Sequence, residues 1–309
     1  MHTHHVVRAR GRAVSAVGLY LLTLCAAAAL ACGDGRNDEP PVATPSFAAN
    51  RTRAPLGSPL ELTYTFDVAS VSPERLKGDY RVFVHFLDSE GDLMWTDDHD
   101  PKPPVSQWQP GQKVSYSHTM FVPVYPYVGE ARVRVGLYSP GDGRRLPLNG
   151  NEVGDREYDV GAITLAPQSE NIFLIYRDGW NSAESAPDQP GLEWQWTKKT
   201  GTLAFRNPRK DVVLYLETDG RPDVFSPPQL VAIKVNDQVV STFTMADRNP
   251  IMRKIPISAA QLGSADMVDL KIEVDKTFVP AQIPAGQPGH GSDTRELGIR
   301  VYHAFVSPK

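Results

Sequence analysis

The chain is poor in cysteine. It holds two, Cys25 and Cys32. Cys25 lies inside an apolar run, so a mature domain stapled by disulfides is excluded. Helical periodicity is also scarce. One short helix is expected near Ser258, where Ser258-x-x-Gln261 has the form of a capping box and Gly263 is placed to end the turn. Basic charge is not in excess. The formal net charge is −4, from 32 basic and 36 acidic residues; three arginines and no acid fall in residues 1–31, which leaves −7 on the remainder. This argues against nucleic-acid binding through a broad basic surface, and against adhesion to an anionic bilayer by charge alone. No G-x-S-x-G, H-E-x-x-H, C-x-x-C or P-loop pattern occurs. Gly286, Gly289 and Gly291 neither follow a strand nor open a helix, so a nucleotide loop is not expected there. No catalytic residue, metal or cofactor is assigned, although scattered carboxylates leave a glycosidase pair open.

The N-terminus is informative by what it contains. Arg8, Arg10 and Arg12 precede an apolar run from Ala13 to Ala31, which ends in Ala29-Leu30-Ala31-Cys32. A basic start, an apolar middle and a small-residue exit describe a secretory signal. The ending resembles a bacterial lipobox, with Ala29 where leucine is usual. The expectation is a signal peptide over 1–31 and acyl chains on Cys32, placing the protein in the bacterial cell envelope, membrane unspecified. Ordinary secretion remains open. So does an uncleaved anchor, since the run approaches the roughly 20 residues that span a bilayer.

Residues 32–46 have no hydrophobic period and contain several prolines, and are read as a lipidated tether. Beyond them, short runs of period two recur: LELTYTF (60–66), YRVFVHFL (80–87), ARVRVGLY (131–138), VVLYLE (212–217), LVAIKV (230–235) and VDLKIEV (268–274). Turn signals separate them, among them Ser89-Glu90-Gly91, Pro140-Gly141-Asp142-Gly143 and Asn236-Asp237. Many short strands at this spacing predict an all-β protein of two antiparallel β-sandwiches, Ig-like or jelly-roll-like, over 47–168 and 169–309.

Two sets of segments carry a resemblance. RVFVHFLDSEGDLMWTDDHDPKPPVSQWQPGQ followed by ARVRVGLYSPGDGRRLPL resembles an Ig-like domain attached to bacterial membrane glycosyltransferases of the dolichyl-phosphate-mannose-mannosyltransferase type. GLEWQWTKKTGTLAFRNP, VNDQVV, VDKTFVPA and DTRELGIRVYHAFV resemble a second accessory sandwich of similar glycan-related proteins, carbohydrate-binding-like in character. The resemblance implies accessory β modules without the polytopic transferase domain. It implies fold more than activity.

Candidate binding residues cluster in the second half. Tyr176, Trp180, Trp194 and Trp196 supply flat rings on which sugar C–H faces stack, and Asp178 and Asn181, with Glu184 and Glu193, supply groups for hydroxyls. In a strand Trp194 and Trp196 share a face. The alternative is that these rings plug the hydrophobic core. In the first half, Trp95, Asp97, Asp98, His99, Asp100 and Trp108 raise a calcium site, which their spacing does not support. His85, on a face with Phe83 and Leu87, and His303, on a face with Ile299, Val301 and Phe305, read as packed histidines. Asp293, Arg295 and Glu296 read as an internal pair pinning a loop, with a ligand grip as the alternative. The expected function is a non-catalytic envelope lipoprotein that binds glycan or a glycan-assembly partner and no nucleic acid. A purely structural lipoprotein contacting other proteins is the second reading, and a glycan-acting enzyme the third.

Overall fold

The computed structural model describes residues 39–70, 73–188 and 192–309. The expected signal peptide, Cys32 and the expected tether as far as residue 38 lie outside the described residues. Among those described, no helix is long and apolar enough to cross a membrane.

The protein is all-β and forms two sandwiches. The first contains β1 (Ala43–Ala49), β2 (Arg53–Pro55), β3 (Pro59–Val68), β4 (Arg81–Leu87), β5 (Leu93–Thr96), β6 (Lys113–Phe121), β7 (Gly129–Tyr138), β8 (Arg145–Leu146), β9 (Asn151–Gly154) and β10 (Glu157–Ala166). A sheet of order β1-β3-β6 opposes one of order β2-β10-β7-β4-β5, with β8 added to β7 and β9 to β10. Period-two patterning explains the burial. Leu60, Leu62, Tyr64 and Phe66 of β3 face Val82, Val84 and Phe86 of β4 and Val133, Val135 and Leu137 of β7 across one core. Trp108 belongs to that core. It is buried, its ring lies 5.0 Å from Phe66, and its indole N–H donates to the Pro103 carbonyl at 2.9 Å.

Two expectations need correction. The stretch read as tether runs to Ser46, but Ala43–Ala49 is a strand paired with β3. Its alternation of small and apolar residues is too weak to stand out from a proline-rich run; the β3 edge supplies the order. Among the described residues the strand pairs are antiparallel with one exception: β2 runs parallel to β10, Thr164 opposite Arg53. The chain leaves the β1-β3-β6 sheet after β1 and adds three residues to the edge of the opposite sheet.

The second sandwich contains β11 (Ile175–Tyr176), β12 (Glu184–Ser185), β13 (Glu193–Trp196), β14 (Thr200–Arg206), β15 (Val212–Asp219), β16 (Leu230–Val235), β17 (Gln238–Thr244), β18 (Ile251–Ile257), β19 (Met267–Val274) and β20 (Arg300–Pro308). Its sheets have the orders β11-β14-β19-β16-β17 and β12-β13-β20-β15-β18. Leu214 and Leu216 meet Ile233, Leu270 and Ile272 in the core. The Asn236-Asp237 turn joins β16 to β17 with both residues at positive φ, as a two-residue hairpin requires. The expected helix is a single turn, Ala259–Leu262, with a reciprocal Ser258–Gln261 capping box and Gly263 at φ 73°.

A bulge in β20 sets what the outer face of its sheet presents. Glu217 opposes His303 and Thr218 opposes Val301, so Tyr302 is the extra residue. Val301 and then Val306 face the core, with Ala304 against it. His303 turns outward, where strict alternation from Val301 would place it inside. It is exposed, pairs with Glu217 at 2.6 Å and stacks on Phe121 of the first sandwich at 4.4 Å. Phe305 meets the same ring edge-on at 6.4 Å. Lys254 on β18 pairs with Glu61 on β3. At the connection, both Arg53 Nη atoms donate to Glu170 at 2.7 Å, and Asn171 donates to the Leu56 carbonyl. Residues 41–309 are accordingly one compact unit.

Replacing Trp108 by alanine removes a large, fully enclosed side chain and its hydrogen bond. A loss of about 3–5 kcal/mol is expected, read from the urea midpoint at constant slope.

Candidate functional site

The aromatic candidates separate into two places. Asp178-Gly179-Trp180 reads as a loop, but it is knit to β14. Arg177 N–H donates to the Thr202 carbonyl, Thr202 N–H to the Asp178 carbonyl, and Lys198 N–H to the Gly179 carbonyl. Gly179 has φ 84°, and a Cβ there would lie 1.7 Å from the Thr200 carbonyl oxygen, so only glycine permits this approach. Trp180 is half-buried against the second core, donates its indole N–H to the Thr202 carbonyl at 2.9 Å and meets Tyr176 edge-on at 4.7 Å. Asn181 is buried and donates to the Glu296 carbonyl at 3.0 Å. Asp178 is exposed, and Tyr176 is 41% exposed. This group therefore presents one accessible ring, not a platform.

Trp194 and Trp196 share the outer face of β13. Trp196 belongs to a small satellite cluster with Phe278 and Leu297, and Trp194, Val224, Phe225 and Ile283 pack around it. Trp196 is 7% exposed and Trp194 half-buried, so neither ring lies open. The Trp194 indole N–H is buried without an acceptor among the described residues. The guanidinium of Arg300 lies 5.4 Å from the Trp194 ring, 5.6 Å from Trp196 and 5.5 Å from Tyr302. What the tryptophans form is the aromatic wall of an arginine, not a bare sugar platform.

That arginine belongs to an open pocket of about 230 Å³ lined by Trp196, Gly220, Arg221, Asp223, Arg248 and Arg300. It forms where β15 leaves the sheet and β20 enters. Asp219, the last residue of β15, is 1% exposed and opposes Arg300. Its carboxylate takes Arg300 Nε at 2.8 Å and Nη2, together with the Tyr302 hydroxyl at 2.9 Å. Burial works against the Arg300 charge, but the Asp219 carboxylate outweighs it and holds the guanidinium pKa above its ordinary value. Across the pocket, Asp223 accepts Arg221 Nε at 3.0 Å and Nη2 at 2.8 Å, and pairs with Arg248 Nη2 at 2.7 Å. The Arg221 hydrogen bonds hold the Asp223 carboxyl below its usual range. Arg221 also covers Phe278 at 5.3 Å. Three guanidiniums thus face two carboxylates. Arg221 Nη1, Arg300 Nη1, and Nε and Nη1 of Arg248 have no acceptor among the described residues.

Sequence reasoning found Trp194 and Trp196 but missed Asp219, Arg221, Asp223, Arg248 and Arg300. These come from three separate stretches with no motif spacing. The available signal was local: Arg221-x-Asp223 in a Gly-Arg-Pro-Asp turn, which is not specific.

Other candidates are spent on structure. Arg295 closes on Asp293 through Nε and Nη2 and reaches Glu184 at 2.8 Å; Glu296 accepts the Thr277 hydroxyl. Asp88 of the 88–92 segment accepts the Glu90 and Asp92 N–H groups in a hairpin turn. His85 lies on the outer face of its sheet, 3.1 Å from Glu157. Asp98 accepts the Val84 N–H and Asp100 pairs with Arg81. Among the described residues no three histidines, cysteines or carboxylates are grouped to hold a metal ion. Asp97 instead accepts the Tyr64 hydroxyl at 3.0 Å and pairs with His118 at 3.1 Å, while His99 stacks parallel on His118 at 5.2 Å and reaches the Tyr116 hydroxyl at 2.8 Å.

The two stacked histidines shift in opposite directions. The Asp97 hydrogen bond raises the His118 pKa above its ordinary 6.5, and burial lowers that of His99. A raised histidine stabilises the fold fully below about pH 6.5 and loses that contribution as pH rises through the folded value. His118→Gln is therefore expected to lower the denaturation midpoint more at pH 6 than at pH 9. In the unaltered protein, the His118 ring proton shifts should titrate above those of His99 by NMR.

No protein-family model matches the chain. No curated protein matches it either. Among solved structures, carbohydrate-binding module CBM36 in complex with calcium and xylotriose is similar at 8% identity and a TM-score of 0.26, over 45% of this chain and 100% of the module. A family 35 carbohydrate binding module from an environmental isolate is similar at 10% identity and a TM-score of 0.24, over 44% of this chain and 97% of its own. The Bacteroides uniformis beta-glucuronidase is similar at 9% identity and a TM-score of 0.31, over 86% of this chain and 30% of the enzyme.

Proposed function

We propose that the protein is a non-catalytic lipoprotein of the bacterial cell envelope whose second sandwich binds glycan in the Arg221–Arg248–Arg300 pocket. The observation that carries this reading is the ring of unmatched guanidinium N–H groups around an open cavity with an aromatic wall. Sugar hydroxyls and ring oxygens accept hydrogen bonds, and a donor held rigidly before binding loses little entropy on binding. Arg300 is held in this way by Asp219 and by the rings of Trp194, Trp196 and Tyr302. The same pocket gives little support to catalysis, since both of its carboxylates are committed to arginines. Export and lipidation are supported by the leader that ends at Cys32.

Binding of the full chain in detergent to an envelope polysaccharide panel is expected. Arg248→Ala should weaken it about tenfold, because Arg248 is exposed and contacts Asp223 alone. Absence of binding to every polysaccharide would overturn this reading. Lipidation has its own test. Cys32→Ser is expected to abolish acyl labelling and move the protein from the membrane to the soluble fraction; unchanged labelling would exclude Cys32 as the anchor.

A second reading, contact with an assembly partner, is favoured by a different feature. Phe173, Ile175 and Met267 are exposed around an apolar cleft of about 410 Å³, with Tyr176 beside them. Crosslinking in native membranes to a stoichiometric partner, with loss of the adduct in Phe173→Ser, would favour it.

A further inference from the structure

The glycan reading names a pocket, and the charge and donor geometry of that pocket restrict what enters it. Among the lining residues and Asp219 behind them, three guanidiniums and two carboxylates leave one positive charge; Glu184, which also acts on Arg300, is itself paired with Arg295. Asp219 neutralises Arg300 beneath the surface, and Asp223 neutralises Arg221 through a two-point contact. The surplus sits on Arg248, whose side chain is 64% exposed and which shares Asp223 with Arg221. The unmatched donors are all N–H groups of guanidiniums, and the described pocket offers no unpaired carboxylate to receive a cationic sugar. A neutral sugar would leave that surplus charge without a counter-ion. A monoanion would cancel it.

Size narrows the class further. The cavity, about 230 Å³, is below the roughly 300–1,000 Å³ of pockets that enclose drug-sized ligands. It takes one ring with its substituent, the rest of a chain running outside. Guanidinium donors in fixed forks match a planar carboxylate better than a lysine ammonium would. Arg300 is locked by Asp219 and Tyr302, and Arg221 by Asp223 and the Phe278 ring. The Nε and Nη2 side of each is spent on its own carboxylate, so what stands in place before a ligand arrives is Nη1 of each guanidinium, held rigidly.

We infer that the sugar held in this pocket is a uronic acid residue, its carboxylate received by the outward N–H groups of Arg221, Arg248 and Arg300. This rests on the glycan-binding reading of the same pocket. Hydroxyls of the ring would meet the remaining donors, and its apolar edge the part of Trp196 that lines the opening. The site serves recognition alone, so no bond is made or broken.

The test is a tryptophan-fluorescence titration of the full chain in detergent, with the emission of Trp95, Trp108 and Trp180 as constant background, against oligomers of galacturonate, glucuronate and mannuronate. Their methyl esters, matched neutral oligomers, and sulfated and phosphorylated sugars serve as controls. Binding of at least one acid is expected, weakened about tenfold or more by esterification, and falling as salt rises. Arg248→Gln should erase the difference between acid and ester at an unchanged thermal midpoint. Arg300→Lys keeps the charge and loses the fixed Nη1 donor, and should weaken the acid more than the ester. Equal binding of acid and ester, or binding of neutral oligomers alone, overturns the uronate assignment and leaves glycan binding standing. Absence of binding to all acids, esters and neutral oligomers overturns both. Preference for a sulfated or phosphorylated sugar over every uronate also overturns the assignment, since it shares the negative charge but not the planar carboxylate.

Discussion

Asp219 is the constraint on which the second sandwich turns. A carboxylate excluded from water is costly unless its charge is opposed and its lone pairs are used. Arg300 meets it with two N–H groups and Tyr302 with a hydroxyl. Because Arg300 is fixed in this way, the rings of Trp194, Trp196 and Tyr302 close around it, and Trp196 in turn anchors the satellite cluster of Phe278 and Leu297. The pocket is a consequence of this arrangement. Its rear wall is an ion pair that cannot move without stranding a buried charge.

The bulge at Tyr302 determines how one sheet serves two purposes. Without an extra residue, a side chain on β20 could not face outward both beside Asp219 and beside Glu217 while Val301 and Val306 remain inside. With it, the outer face presents Arg300 and Tyr302 at one end and His303 and Phe305 at the other. The second end stacks on Phe121 of the first sandwich, and Lys254 reaches Glu61 across the same junction. Glu217, the partner of His303, and Asp219 are separated along β15 by about 7 Å, two residues at roughly 3.3 Å each. Within that distance the sheet passes from a contact between sandwiches to a ligand-sized opening.

The first sandwich has a different electrostatic arrangement. In its 97–100 stretch the acids are paired, Asp97 with Tyr64 and His118 and Asp100 with Arg81, and Asp98 accepts a backbone N–H. A cluster that looks acidic in sequence is therefore largely self-neutralised in space. In the pocket beyond Asp219 the arginines outnumber the carboxylates, and some of their donors have no acceptor among the described residues.

Much of the architecture was legible from local chemistry. The six alternating runs are strands because alternate residues must face a core and solvent, and the Asn236-Asp237 turn and the Ser258–Gln261 cap form from neighbours a few residues apart. Weak local signals failed where a distant partner supplied the order: β1 leans on the edge of β3, Asp178 and Trp180 are bound to β14, and Asn181 is bound to β13. The tryptophans were visible as residue types, but not their role. Whether an indole stacks on a sugar or walls an arginine depends on Arg300, brought alongside by the pairing of β13 with β20. Local sequence thus determined that this chain builds layered antiparallel strands, since alternation and turn chemistry act over a few residues. Tertiary structure alone decided that Arg221, Arg248 and Arg300 share one opening and that His303 faces outward, because strand pairing and a one-residue bulge act between stretches that carry no mark of each other.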